Sequence, residues 1–179
     1  MSSAKEYPSD KIRNVVVLGH GGSGKTTLID ALCFSTGTTR RHGSVKDGTA
    51  LTMYAEEEIA HGISIQTAVG FADWHGTKIN LLDTPGYLDF TGEAIAATRV
   101  ADGAVIAVGA TTGVEVGTEK VWEYCVARGI PRLFFVSMMN KEHSNFEKAC
   151  NEIKQHMSEK AYAAEIPIGE GDQFSGIVK

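Results

Sequence analysis

Between an apolar run at residues 14–18 and a helix-competent run at residues 25–34 lies the segment Gly19-His20-Gly21-Gly22-Ser23-Gly24-Lys25-Thr26. Its G-x-x-x-x-G-K-[ST] spacing, set between a strand and a helix, is that of a phosphate-binding P-loop. Glycines let the backbone curl with its N–H groups turned inward, Lys25 can reach β- and γ-phosphates, and the Thr26 hydroxyl can bind Mg²⁺. The N-terminus of the following helix adds partial positive charge where phosphates sit. Gly19, His20, Gly21, Gly22, Ser23, Gly24, Lys25, Thr26 and the adjacent Thr27 are therefore the expected polyphosphate-binding residues.

A chain of 179 residues is long enough for one domain with a real core. With 42% hydrophobic and 22% charged residues it has the balance of a soluble globular protein. The formal charge of −5 supplies no basic field for unaided nucleic-acid binding, so direct DNA binding is not expected. An RNA-containing partner would have to be met by local patches or by other parts of a larger protein. Cys33, Cys125 and Cys150 are widely spaced and outside any C-x-x-C, which argues against a disulfide framework or a zinc site. No apolar run approaches the roughly 20 residues of a membrane span, and residues 1–10 lack the apolar core of a signal peptide. The expectation is a cytoplasmic, monomeric chain without membrane contact.

Residues 1–10 read as a flexible leader, residues 11–160 as a nucleotide-binding domain, and residues 161–179 as the start of an irregular or β-rich extension of a truncated chain. Val15 to Leu18 has the continuous apolar character of a central strand covered on both faces. Residues 36–60 are rich in Gly, Thr and charge, with the run Glu56-Glu57-Glu58, and read as a mobile loop near the nucleotide. Residues 63–74 and 78–82 are strand candidates joined by His75-Gly76-Thr77, a tight connection that favours an antiparallel hairpin. The second delivers Asp83-Thr84-Pro85-Gly86 at a strand's C-terminal end, where ligands bind in open α/β sheets. Residues 90–100 and 114–128 read as helices, and residues 104–108 and 133–136 as buried strands. Ser144-Asn145-Phe146-Glu147 has capping-box spacing ahead of a further helix. The alternation predicts a doubly wound, mostly parallel α/β sheet with helices on both faces.

Several motifs then fall in one order. His61-Gly62-Ile63-Ser64-Ile65 is similar to R-G-I-T-I, and Asp83-Thr84-Pro85-Gly86-Tyr87-Leu88-Asp89-Phe90 to D-T-P-G-H-V-D-F. With the P-loop, Asp102-Gly103-Ala104-Val105 and the stretch from Gly113 to Trp122, the set resembles the G domain of a translational GTPase, specifically elongation factor G and the elongation-factor-G-like proteins. That resemblance implies a P-loop NTPase fold, GTP or GDP and Mg²⁺ as ligands, and the ribosome as partner. It implies Thr26 and Ser64 as metal ligands, Asp83 as a ligand through water, and the Gly86 N–H as a donor to the γ-phosphate. Loss of that phosphate would release the loops of Ser64 and Gly86 together.

Two departures bear on chemistry. Tyr87 stands where the family has the histidine that helps orient the attacking water; with a pKa near 10, a phenol is neither a neutral-pH base nor a cation. Slow hydrolysis is expected, with Lys25 and Tyr87 as the catalytic candidates. Ser137-Met138-Met139-Asn140 stands where the family has N-K-x-D. Met138 can cover the base, but Asn140 offers one acceptor oxygen where the family aspartate offers two. The resulting expectation is weakened guanine preference or a shift toward xanthine. A second reading is a nucleotide-dependent binding or scaffold module with little turnover. A third, an ATP-dependent P-loop transferase, is disfavoured because Asp83 to Gly86 suits γ-phosphate sensing better than phosphoacceptor binding.

Overall fold

Strand β1 (Ile12–Gly19) runs through the middle of the molecule and is bonded on both sides by parallel neighbours, β3 (Thr77–Asp83) and β4 (Gly103–Gly109). This computed structural model describes residues 5–179. β2 (Ala68–Trp74) lies antiparallel on the outer edge of β3, and β5 (Arg132–Ser137) lies parallel on β4, giving the order β2-β3-β1-β4-β5. The sheet is mixed and mostly parallel.

Successive residues of a strand point to opposite faces, so a central strand with both faces covered must be apolar throughout. On one face Val17 packs with Leu81 and Ala72 against Ile29 and Cys33 of α1 (Lys25–Ser35). On the other, Val16, Leu18 and Ile106 meet Ala94 and Ala97 of α3 (Thr91–Thr98) and Val121 and Cys125 of α4 (Val116–Ala127). Val108, of the same strand parity as Ile106, packs on Ala149 and Ile153 of α5 (Phe146–His156), which places α5 beside α4. Helices cover both faces, as the alternation of runs predicts.

Local chemistry moves several boundaries. Trp74 pairs with Thr77, leaving His75 and Gly76 as a two-residue turn with φ +48° and +76°. Both are left-handed, which suits the twist of a hairpin. The strand expected over residues 63–74 begins only at Ala68, because the backbone N–H groups of Ile65 and Gln66 turn to the Glu58 carboxylate and that of Thr67 to Glu93. Within the expected mobile loop sits a short helix, α2 (Glu56–His61). The α5 cap is Asn145, whose side chain accepts from the Lys148 N–H at 2.7 Å; Ser144 donates instead to the Met139 carbonyl. A sequence spacing alone could not tell which of two adjacent polar residues would cap.

Of the expected leader, residues 1–4 lie outside the described residues; beyond them, Lys5 and Tyr7 both donate to the Asp73 carboxylate on β2. Near the other end, β6 (Ile166–Ile168) and β7 (Gly176–Val178) form a small antiparallel pair. Its connecting turn docks on the body where the Gly171 N–H reaches the Met139 carbonyl at 2.9 Å and the Glu170 carboxylate accepts from the Phe146 N–H at 2.7 Å.

Ile106 is fully enclosed between β1, α3 and α4. Its replacement by alanine should lower the unfolding free energy by about 2–5 kcal/mol in urea titration, since the parallel strands around it cannot collapse into the space.

Candidate functional site

The parallel register brings the C-terminal ends of β1, β3 and β5 to one rim of the sheet. β1 ends at Gly19, where the backbone takes φ +143° and a β-carbon would strike the Ala107 carbonyl and, at 2.7 Å, the Ser23 hydroxyl. Gly24, left-handed at φ +85°, then turns the chain into α1. Lys25 and Thr26 open that helix and are buried; Thr27 is exposed. The Lys25 ammonium donates to the His20 carbonyl at 2.8 Å across the loop. Burial pushes its pKa down to about 8, against the upward pull of the Asp83 and Glu115 carboxylates.

Asp83, at the end of β3, is 1% exposed. Burial raises its carboxyl pKa, while the hydrogen bond from Thr52 and the nearby Thr26 hydroxyl oppose the rise. Thr52 donates to Oδ2 at 2.5 Å, and Oδ1 is buried with no protein partner. The next turn, through Gly86, lies directly on the P-loop: a β-carbon on Gly86 would strike Lys25 Nζ and come within 2.7 Å of the Gly21 nitrogen. Tyr87 lays its ring over Gly21, where a β-carbon would come within 2.9 Å of the ring. Ser64 Oγ stands 3.4 Å from Thr26 Oγ1.

His20 leaves the phosphate side of the loop and meets the start of α4. Its Nε2 is 3.5 Å from the Glu115 carboxylate, its Nδ1 is buried without a hydrogen-bond partner, and Gly117 allows the close approach.

At the β5 end, Ser137 is buried and donates to the Ser23 carbonyl at 2.8 Å and the Val108 carbonyl at 3.3 Å. It braces the P-loop from behind. Met138 follows with φ +61°, a strained value for a residue with a β-carbon, and Asn140 is exposed in the next turn. Met139, not singled out by sequence, is the buried member of this turn.

The family model described as the Elongation factor Tu GTP binding domain matches residues 10–176. The chain belongs to this family, the G domains of translational GTPases. A solved structure of a protein from Thermus thermophilus is similar to this G domain over 94% of its length, with 36% sequence identity and a TM-score of 0.88. The chain spans 25% of that protein's length.

Members of the family bind GTP and GDP. Among the described residues of this G domain, no group of three or more His, Cys, Asp or Glu side chains could hold a metal by itself. Mg²⁺ does not require one, because it binds through one or two carboxylates together with substrate phosphates and water. The unpartnered Asp83 Oδ1 and the neighbouring Thr26 and Ser64 hydroxyls fit that donor set. Nor is any helix among the described residues long and apolar enough to cross a membrane.

Four residues that shape the site had not been marked by motif. Thr52 gave no signal. Asp30 is an acid between Ile29 and Cys33 on the buried stripe of α1. Glu58 belongs to the acidic run of the expected mobile loop, yet it is 3% exposed. Glu93 receives the Thr67 N–H at 2.7 Å from α3.

Since Lys25 ionises in the unfolded chain near 10.5 and in the folded chain near 8, the unfolded state binds the extra proton between those values. Stability therefore rises with pH across that window and the burial penalty is fully present below it. Urea titrations of the ligand-free chain from pH 7.5 to 10.5 should show this rise, and Lys25→Met should remove it.

Proposed function

We propose that this G domain binds GTP and GDP with Mg²⁺, hydrolyses GTP slowly, and serves as the nucleotide switch of an elongation-factor-G-like translation factor working on the ribosome in the cytoplasm. The observation that carries the reading is the convergence of three loops on one point: Gly86 on Lys25 and Gly21, Ser64 beside Thr26, and Thr52 on Asp83. A phosphate reader needs only the P-loop. Two further loops in contact with its lysine and threonine give it a means of sensing a third phosphate.

In this reading backbone N–H groups of the P-loop and the Lys25 ammonium would hold the β- and γ-phosphates. Thr26 and Ser64 would hold Mg²⁺ directly and Asp83 through water, the ion supplying charge neutralisation at the phosphate oxygens. Gly86 would turn its N–H to the γ-phosphate, so the loops of Ser64 and Gly86 are held while that phosphate remains and released when it leaves. Tyr87, poised over Gly21, can hydrogen-bond a water but cannot take its proton at neutral pH, which keeps turnover slow.

A second reading, a switch or scaffold with altered purine preference and little turnover, is favoured by the base end. Ser137 is spent on the Ser23 and Val108 carbonyls, and Asn140 brings one acceptor oxygen and an amide donor. Xanthine, with a 2-oxo acceptor, suits that donor better than guanine.

Binding of GTP, GDP, XTP and ATP to one preparation tests both. The first reading expects Mg²⁺-dependent GTP and GDP binding, and Asn140→Asp should raise GTP affinity relative to XTP by about ten- to a hundredfold. Tight ATP binding without GTP binding would sink it. Multiple-turnover phosphate release from the full-length protein separates the two: stimulation by ribosomes supports the switch, and its absence supports the scaffold.

A further inference from the structure

Residues 36–55 form a long loop without strand or helix, yet one carboxylate on α1 holds it at two places. Asp30, 2% exposed, accepts the Gly43 N–H on Oδ2 at 2.6 Å and the Leu51 N–H on Oδ1 at 3.0 Å. Gly43 is a fitted position, since a β-carbon there would strike the Thr49 carbonyl and approach Asp30 Oδ1 to 2.6 Å. The residue after Leu51 is Thr52, itself 4% exposed, whose hydroxyl donates to Asp83 Oδ2. From the helix that begins at the P-loop, a continuous path thus runs through a pinned backbone to the carboxylate at the end of β3.

A buried carboxylate with one oxygen tied by a donor has its plane fixed, and its second oxygen is aimed. Here the second oxygen is the unpartnered Oδ1. We propose that Thr52 is the positioning residue that orients Asp83 toward the Mg²⁺ water, and that Asp30 positions Thr52 by docking the loop at Gly43 and Leu51. The proposal rests on the reading of Asp83 as a metal-site residue. Partners of this kind, which touch a ligand but not the metal, typically set metal affinity by 10–100-fold.

The measurement is the Mg²⁺ concentration at which the chain half-retains a fluorescent GDP or XDP, titrated against EDTA. Thr52→Val, equal in shape but without a donor, should raise that concentration by about tenfold or more, while Thr52→Ser, which keeps the hydroxyl, should leave it near wild type. Asp30→Asn should raise it likewise and should also speed amide hydrogen exchange at Gly43 and Leu51, with faster tryptic cleavage at the exposed Arg40, Arg41 and Lys46. Melting temperatures of all variants show whether each is folded, and Thr52→Ala replaces Thr52→Val if the latter is not. A wild-type midpoint for Thr52→Val overturns the role of Thr52. Faster exchange in Asp30→Asn with an unmoved midpoint reduces Asp30 to a structural anchor and overturns its place in the path. Retention by the wild type that ignores Mg²⁺ overturns the metal reading itself, an outcome distinct from either.

Discussion

An ammonium group buried beside a buried carboxylate is the constraint around which this domain is arranged. Lys25 at the start of α1 and Asp83 at the end of β3 both lie beneath the surface, and each is held away from its ordinary pKa by burial. Leaving charged groups there costs free energy unless polar partners are supplied. The surrounding backbone and side chains supply them in part: the His20 carbonyl for the lysine, the Thr52 hydroxyl for one oxygen of the aspartate. What remains unsatisfied, Asp83 Oδ1 and the charge of the lysine, is the part of the site that a metal and a polyphosphate would complement in the proposed reading.

The fold was largely legible because its information is local. The apolar run from Val15 to Leu18 and the His75-Gly76 turn each act over a few residues, and the sheet follows from the alternation of such segments. Phosphate-side residues were legible for the same reason, since the P-loop and Asp83 to Gly86 are contiguous strings. What escaped is what depends on pairs far apart in the chain. Thr52 acquires a role only through Asp83, Asp30 through Gly43 and Leu51, and Glu58 through the turn of backbone after α2. A stretch without periodicity is read as loose, yet here a few buried acids bind its amides and give it a fixed path.

The two ends of the nucleotide cleft are built on different principles. At the phosphate end the backbone itself is the fitted part, locked by glycine-only contacts, as at Gly19 and Gly86. Substitution there meets immediate steric opposition. At the proposed base end recognition would depend on side-chain identity, and Ser137 has its hydroxyl turned to the protein itself. A chain can therefore change its base-recognition residues while keeping its phosphate chemistry, because the brace that Ser137 gives to Ser23 needs only a short hydroxyl.

The parallel pairing of β1 with β3 and β4 carries a consequence for how the protein reaches its native state. Val17 meets Asp83 on one side and Val105 on the other, partners 66 and 88 residues further along the chain. Such contacts form late and slowly, because chain entropy opposes them until several are made at once. The loop that would hold phosphates, the carboxylate that faces it and the serine behind it stand at the ends of β1, β3 and β5, so none of them has its place before the sheet has formed. Ligand capture therefore requires the finished sheet, and a bound nucleotide weights the finished molecule over every partly formed one.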